Sequence, residues 1–225
     1  MSQPYRKPKV LVIAEAANPE WPSVPLVGWS HYEALSKVAD VHLVTQVRNR
    51  DALLRAGLKE GEDFTAIDTE KLAAPLYKFA ALLRGGTDKG WTIDTAIAAI
   101  SYYYFEHLVW KTFFANRSQC DFNIVHRITP LSPTTPSIIA KKLHAISIPF
   151  VVGPLNGGVP WPKEFQTAQH KEKEWLSYIR DAYKLMPGFR DTREYAKAIL
   201  IGSKDTLQQL DRKYHSKAIY MPENA

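Results

Sequence analysis

The feature that most constrains the fold is the stretch of residues 121–158, DFNIVHRITPLSPTTPSIIAKKLHAISIPFVVGPLNGG, which has the pattern of a strand, a helix and a second strand. Apolar runs at 122–125 and 149–152 predict the two strands. Between them, Thr135 is a suitable N-cap and Pro136 has the fixed φ of a first helical position. A unit of this kind is a βαβ crossover, so the two strands are predicted to be parallel.

The crossover brings two candidate ligand-binding segments to one edge of the sheet. His126 and Arg127 follow the first predicted strand, and the loop 153–158 follows the second. Open α/β sheets bind ligands at the carboxyl edge, and the adjacent Gly157 and Gly158 would let a ligand approach backbone N–H groups. The alternative is that the glycines only form a turn and that His126 is a structural histidine at the strand edge.

Further apolar runs predict the rest of a parallel sheet. Residues 9–16, KVLVIAEA, predict a central first strand, 41–47 a second and 63–68 a weaker third. Residues 196–202 and 217–221 predict two more strands near the end of the chain. The fold class is therefore α/β, a Rossmann-like parallel β-sheet with helices on both faces, in one domain over the 225 residues.

The segment after the first strand contains a candidate anion-binding turn. Residues 18–29 contain three prolines, so we expect an irregular loop that ends at Gly28, with a helix from Trp29 onward. A helix N-terminus preceded by glycine can bind an anion through free N–H groups and the helix dipole. The chain has no GxGxxG and no GxxxxGK[ST] pattern, which argues against an NAD-type Rossmann domain and a P-loop NTPase.

Residues 69–118 interrupt the alternation of strands and helices and predict a helical insertion. Their second half, TIDTAIAAISYYYFEHLVWKTFFANR, is apolar around most of its circumference, which favours burial in the core. The alternative is an interfacial helix, because basic residues near aromatics and leucines also describe helices that lie on a membrane surface.

The net charge indicates the class of partner, and the cysteine content indicates the cellular compartment. The formal net charge of +6 suits an anionic partner such as phosphate or an acidic membrane surface, although most basic residues alternate with acidic ones. Nucleic acid is not expected, because no nucleic-acid-binding signature accompanies the charge. Cys120 is the single cysteine, and no signal peptide or membrane-spanning run is present, so we expect a cytoplasmic protein.

The order of several motifs resembles the N-terminal half of retaining glycosyltransferases with the two-domain GT-B fold, in family 4 (glycosyl transferase group 1). The motifs are VHRITP, a Pro-Ser pair near a helix start, IPFVVGPLNGG, AKAILIGSKDT and YMPEN, and they cover nearly the whole chain in order. The GPLNGG loop and its distance from His126 are the specific part, since many Rossmann-like domains share the strands.

This sequence departs from the family pattern at several positions. Asn156 and the two glycines after it stand where relatives often have three glycines, and Val159 replaces an acidic residue. Ala225 stands in place of the usual glycine at the linker. The first loop lacks paired glycines, so Gly28 alone would supply close approach to the donor phosphates. The glutamate pair of the second domain falls outside this sequence.

The resemblance implies a role for each candidate residue. Gly28 and Trp29 would lie near the donor diphosphate, His126 near the transferred sugar as the catalytic residue, and Arg127 with the loop 156–158 would bind substrate. It implies a nucleotide-sugar donor, a saccharide or lipid-linked acceptor, no cofactor and no obligatory metal. It also implies a C-terminal nucleotide-sugar-binding domain that these residues lack, so we expect the isolated chain not to transfer sugar. A lipid-linked acceptor would bring peripheral membrane contact at the inner face.

Two other functions stay open from the sequence. One is a stand-alone Rossmann-like binding module without catalysis. The other is a GT-B nucleotide-sugar epimerase, which would need further carboxylates and histidines in its cleft.

Overall fold

The computed structural model of the chain describes residues 6–70, 90–116, 120–157 and 183–222. Its strands are β1 (Lys9–Ala14), β2 (Asp40–Gln46), β3 (Phe64–Ile67), β4 (Ile124–Thr129), β5 (Phe150–Leu155), β6 (Ala196–Ile201) and β7 (Ala218–Tyr220). Its helices are α1 (Val24–Ser36), α2 (Arg50–Arg55), α3 (Gly90–Phe113), α4 (Ile139–Ala145), α5 (Phe189–Tyr195) and α6 (Lys204–Gln209).

The seven strands form one sheet in the order β3-β2-β1-β4-β5-β6-β7, and every pair of neighbours is parallel. The prediction of an α/β, Rossmann-like parallel sheet is confirmed. The strand order reverses direction between β1 and β4, which places a crevice at their carboxyl ends.

Apolar side chains cover both faces of the sheet. Along β1, Leu11 and Ile13 belong to a core shared with α3 and α4, whereas Val10 and Val12 belong to a core shared with α1. This alternation follows from the period of two along a strand. It explains why β1 is apolar without interruption after Lys9, and it confirms that helices lie on both faces.

β4 is longer than the sequence predicts. Its pairing with β1 continues past the expected end at Val125, so that His126 pairs with Val12 and Arg127 with Ile13. The two candidate residues therefore lie inside the strand and not in the loop after it. Because successive side chains of a strand point to opposite faces, the structure places His126 and Arg127 on different sides of the sheet.

α1 begins at Val24, five residues before the predicted start at Trp29. The prediction treats Pro25 as part of an irregular loop, but proline fits the first turn of a helix, where its missing N–H is not needed. Gly28 is consequently the fifth residue of α1 and is buried. A Cβ at this position would lie 2.1 Å from the carbonyl oxygen of Ala16, so glycine is required here for close packing of the helix on the loop after β1.

α4 begins at Ile139, later than the start that Thr135 and Pro136 predict. The residue at its N-cap position is Ile138, which makes no side-chain capping bond. The three intervening residues form part of the loop after β4, where Ser137 and the N–H of Ile138 bind side chains of α3 and α5. The loop that precedes α4 is therefore longer than predicted, and it lines the carboxyl edge of the sheet.

The predicted helical insertion is described only in part. α3 is its second half, and Tyr102, Phe105 and Val109 on it are buried in the core. Residues 71–89 and most of the helix predicted before Pro187 lie outside the described residues, as do Gly158, Val159 and Ala225. Among the described residues, no helix is both long and apolar enough to cross a membrane.

We predict that Gly28→Ala lowers the free energy of unfolding by about 2 kcal/mol, because the new Cβ would overlap backbone that cannot move freely. Alanine normally stabilises a helix interior relative to glycine, so the expected sign is the opposite of the usual one. Urea unfolding followed by circular dichroism measures the change.

Gly61→Ala is the matched control. Gly61 has a φ of +88°, but no atom lies within 4 Å of the position that a methyl group would take, so backbone strain is its only cost, about 1 kcal/mol. A Gly28→Ala variant as stable as the wild type would contradict the close packing of α1.

Candidate functional site

The candidate site is the carboxyl edge of the sheet where β1, β4 and β5 end. Thr129, the last residue of β4, ties the loops of this edge together. Its Oγ1 accepts a hydrogen bond from the N–H of Ala16 at 3.0 Å and donates one to the carbonyl oxygen of Ala16 at 3.1 Å. Since Thr129 is fully buried, these bonds fix the loop after β1 against the end of β4.

His126 lies within β4 and is 6% exposed. Its Nε2 lies 2.8 Å from the carbonyl oxygen of Gly153, which can only accept, so Nε2 carries the proton and donates. Burial lowers the pKa of His126 to about 4, against the hydrogen bond to Gly153, which raises it; the charges of His31 and Arg127 lower it further by smaller amounts. The ring is therefore neutral near pH 7, with the lone pair on Nδ1.

Arg127 lies on the opposite face of the sheet and is 1% exposed. Its Nη1 donates to the carbonyl oxygen of Thr135 at 2.7 Å, and its guanidinium lies 5.8 Å from the centre of the Tyr102 ring. Nε of Arg127 is buried without a hydrogen-bond partner in the described residues. This arrangement makes Arg127 a support for the loop after β4, and contact with substrate stays a prediction that the placement does not favour.

The N-terminus of α4 is capped by a carboxylate from α3. Glu106 accepts hydrogen bonds from Ser137 Oγ, from Tyr102 Oη at 2.8 Å and from the N–H of Ile138 at 2.6 Å. The N–H of Ile139 lies at 3.4 Å from the same carboxylate. Glu106 is fully buried, and burial raises its pKa, while the bond from Ser137 and the nearby charge of Arg127 lower it.

A second helix holds the same loop from another side. Arg193 on α5 donates from Nη2 to the carbonyl oxygen of Pro133 at 2.7 Å. Thr192 accepts from the N–H of Ser137 at 2.6 Å and donates to the carbonyl oxygen of Gly188 at 2.6 Å. The loop after β4 is thus fixed by α3, by α5 and by Arg127, so its backbone is preorganised before any ligand binds.

Asn156 and Gly157 follow β5 and meet the loop after β4. The N–H of Asn156 donates to the carbonyl oxygen of Leu131 at 2.9 Å. The carbonyl oxygen of Gly157 accepts from Thr206 Oγ1 at 3.0 Å. Gly157 has a φ of +148°, and a Cβ there would lie 3.1 Å from the ring of Pro133, so glycine keeps the backbone of both loops close together.

Gly28 and Trp29 do not form the helix N-terminus that the sequence predicts. Both lie in the second turn of α1, and the half-buried Trp29 packs on Tyr32 with 5.6 Å between the ring centres. The prediction that the start of this helix offers N–H groups to a diphosphate at Gly28 and Trp29 is therefore wrong in its position, because the helix begins at Val24. A contact of either residue with donor stays a prediction.

The sequence interpretation missed three polar side chains at or near this edge. Glu15 follows β1 directly, and Arg48 and Glu106 lie on segments without a recognisable motif. A signal for Glu15 was available, since it is the one charged residue after the lysine in the otherwise apolar run KVLVIAEA. Glu106 carried none, because the loop residues that it binds, Ser137 and Ile138, lie about thirty residues away in the sequence.

Within the described ranges, no group of three or more His, Cys, Asp or Glu side chains is placed to hold a metal ion. No protein-family model matches the sequence, and no curated protein matches it significantly. The function must therefore be argued from the residues and geometry of this edge.

We predict that His126 makes the fold sensitive to acid. Its pKa of 6.5 in the unfolded chain falls to about 4 in the folded protein, so its contribution is fully present above 6.5 and is lost as the pH falls toward 4. The loss amounts to about 3 kcal/mol over that range. Urea unfolding at about pH 7.5 and about pH 4.5 measures it.

His126→Gln can still donate to the carbonyl oxygen of Gly153 but does not titrate, so we expect a smaller loss of stability in acid. His144→Gln is the control, because His144 is exposed near the end of α4. An equal acid dependence in the wild type and His126→Gln would contradict the burial of a neutral ring.

We also predict that Glu106→Gln destabilises the protein by about 2 kcal/mol, because an amide has one oxygen and leaves a buried donor of the α4 N-terminus unpaired. Glu33→Gln, an exposed change of the same chemistry on α1, should leave the free energy of unfolding within about 0.5 kcal/mol of the wild type. Equal stability of the Glu106 and Glu33 variants would show that the cap is dispensable.

Proposed function

We propose that the protein is a retaining glycosyltransferase of the GT-B type, family 4, and that this chain supplies the acceptor-side half of its cleft. The reaction would move a sugar from a nucleotide sugar to a saccharide or lipid-linked acceptor. The observation that carries the proposal is the contact between Asn156 and Leu131, which joins the loops of the VHRITP and GPLNGG segments at the carboxyl edge of the sheet. These are the segments on which the family resemblance depends.

The geometry of the edge fits the chemistry of sugar transfer. In a retaining transfer the bond from the anomeric carbon to the diphosphate breaks, and the acceptor oxygen bonds to the same face of the sugar. The acceptor's hydroxyl proton passes to the leaving phosphate oxygen. The protein then has to hold the reacting groups in position and exclude water, which a preorganised edge built from fixed loops does well.

His126 is suited to hold a neutral sugar. With Nε2–H committed to the carbonyl oxygen of Gly153, the ring can accept a hydrogen bond from a sugar hydroxyl through Nδ1. The low pKa of His126, about 4, keeps that acceptor available at physiological pH. This role requires no proton transfer by the ring, which agrees with a mechanism in which the phosphate removes the acceptor's proton.

The remaining parts of the cleft follow from the resemblance. A C-terminal domain would hold the nucleotide, and the reaction would need neither a cofactor nor an obligatory metal. A cytoplasmic enzyme with a lipid-linked acceptor would work at the inner surface of the membrane. Asn156, Gly157 and Gly158 would line the acceptor side of the cleft.

We expect the protein expressed from its complete reading frame to consume one of the common uridine, guanosine or thymidine diphosphate sugars. Release of the nucleoside diphosphate, measured by chromatography, gives the turnover, and NMR of the product gives the anomeric configuration. His126→Ala should lower the turnover about tenfold or more, the cost of one hydrogen bond made to the reacting sugar.

His144→Ala is the matched control, since His144 lies on α4 away from the carboxyl edge and should leave the turnover unchanged. The melting temperature of each variant separates loss of activity from loss of fold. Failure of the complete protein to consume any nucleotide sugar would overturn the proposal. Unchanged turnover in His126→Ala would remove His126 from the site.

A further inference from the structure

Glu15 occupies the position directly after β1, where the strand order reverses, and its backbone is held firmly. Its carbonyl oxygen accepts hydrogen bonds from Asn49 Nδ2 at 2.9 Å, from Thr45 Oγ1 at 3.1 Å and from the N–H of Gln46 at 3.2 Å. The next residue, Ala16, is fixed by Thr129. The backbone of Glu15 is therefore anchored to β2 on one side and to β4 on the other.

The carboxylate of Glu15 is much less well satisfied than its backbone. It accepts no hydrogen bond in the described part of the chain, and its nearest cation is Nη2 of Arg48 at 3.8 Å. The side chain is only 18% exposed, and burial raises the pKa of Glu15 while Arg48 lowers it. A carboxylate that is largely removed from water normally has hydrogen-bond donors around it, so this one calls for an explanation.

The side chain of Arg48 also makes few polar contacts with the described residues. Its backbone N–H donates to Gln46 Oε1 at 2.7 Å, which fixes the residue just beyond β2. Its guanidinium is 48% exposed and makes no closer polar contact, among the described residues, than the one to Glu15. The group has five N–H donors, and most of them have no hydrogen-bond partner among the described residues.

A neighbouring pair shows what a Glu–Arg contact with a structural role looks like. Glu20 and Arg55 join the loop after β1 to α2 through two hydrogen bonds of 2.7 and 2.8 Å. That pair closes on itself in the bidentate geometry that guanidinium and carboxylate prefer. In the pair of Glu15 and Arg48, by contrast, Oε1 and Nη2 are 3.8 Å apart, which is too long for a hydrogen bond. The carboxylate offers acceptors and the guanidinium beside it offers donors.

We propose that Glu15 and Arg48 form a saccharide-binding subsite in which the hydroxyls of the acceptor donate to Glu15 and accept from Arg48. Each sugar hydroxyl is both a donor and an acceptor, so neighbouring hydroxyls match a carboxylate beside a guanidinium. The pair has no net charge, and its carboxylate would repel a phosphate, which favours a neutral sugar over an anion. This inference rests on the proposed function and specifies where the acceptor binds.

Saturation-transfer NMR with simple glycosides tests the subsite. The probes are methyl α-D-glucopyranoside, methyl α-D-mannopyranoside and methyl α-D-galactopyranoside, each at about 10 mM to match the weak binding expected of a monosaccharide. We expect at least one of these glycosides to show saturation transfer from the wild-type protein. Glu15→Gln and Arg48→Gln should each weaken that binding about tenfold or more, the effect of losing a hydrogen bond to a charged group.

Glu33→Gln is the matched control, because Glu33 is exposed on α1 and its variant should bind like the wild type. Thermal melting supplies a second, independent readout. If Glu15 serves a ligand, Glu15→Gln should melt at the same temperature as the wild type or higher, because it removes a largely buried charge that accepts no hydrogen bond from the described residues. A lower melting temperature of Glu15→Gln together with unchanged glycoside binding would overturn the subsite. Absence of saturation transfer from the wild type to all three glycosides would also overturn it.

The outcomes separate this inference from the proposed function. If a glycoside binds through Glu15 but the complete protein consumes no nucleotide sugar, the subsite stands and the transferase proposal fails. If a nucleotide sugar is consumed and Glu15→Gln changes neither glycoside binding nor the KM for acceptor, the transferase proposal stands and the subsite fails.

Discussion

The carboxylate of Glu106 is the contact on which the rest of the site depends. The loop after β4 ends at a helix whose own N-cap residue, Ile138, offers no capping side chain. The buried carboxylate of Glu106 supplies the missing acceptor for the first N–H groups of α4 and also binds Ser137 and Tyr102. Glu106 lies on α3, which is part of the helical insertion. The insertion therefore fixes the loop after β4, although the insertion is not part of the sheet.

Two consecutive residues of β4, both buried, differ in charge and lie on opposite faces of the sheet. His126 is neutral and hydrogen-bonded to β5, whereas Arg127 is charged and supports the loop after β4 from the opposite face. Neither presents a charge at the crevice. The charges nearest to the point where the strand order reverses belong instead to the largely buried Glu15 and the half-exposed Arg48, just beyond β1 and β2. A carboxylate beside a guanidinium matches the neutral, hydroxyl-rich acceptor that we propose.

The strands and their order of occurrence could be predicted because apolar runs such as KVLVIA carry their own signal. The helix starts could not. α1 begins with Pro25 in its first turn, where proline is tolerated, although proline inside a segment otherwise suggests a loop. α4 begins at Ile139 and not after Thr135, because the polar groups between these positions are bound by Glu106 and Thr192. Local patterns cannot reveal partners that lie elsewhere in the chain.

The sequence by itself determined the parallel α/β sheet, the crossover between β4 and β5, and the position of Asn156 and Gly157 just after β5. These features follow from the periods of strands and helices and from the handedness of the crossover, which are local properties. Only the tertiary structure decided that His126 is neutral, that Arg127 lies under the loop, that Gly28 packs against Ala16, and that Glu15 lies 3.8 Å from Arg48. Each of these depends on how deeply a group is buried and on which distant residues surround it. Burial and surroundings are set by the tertiary fold and not by the local sequence.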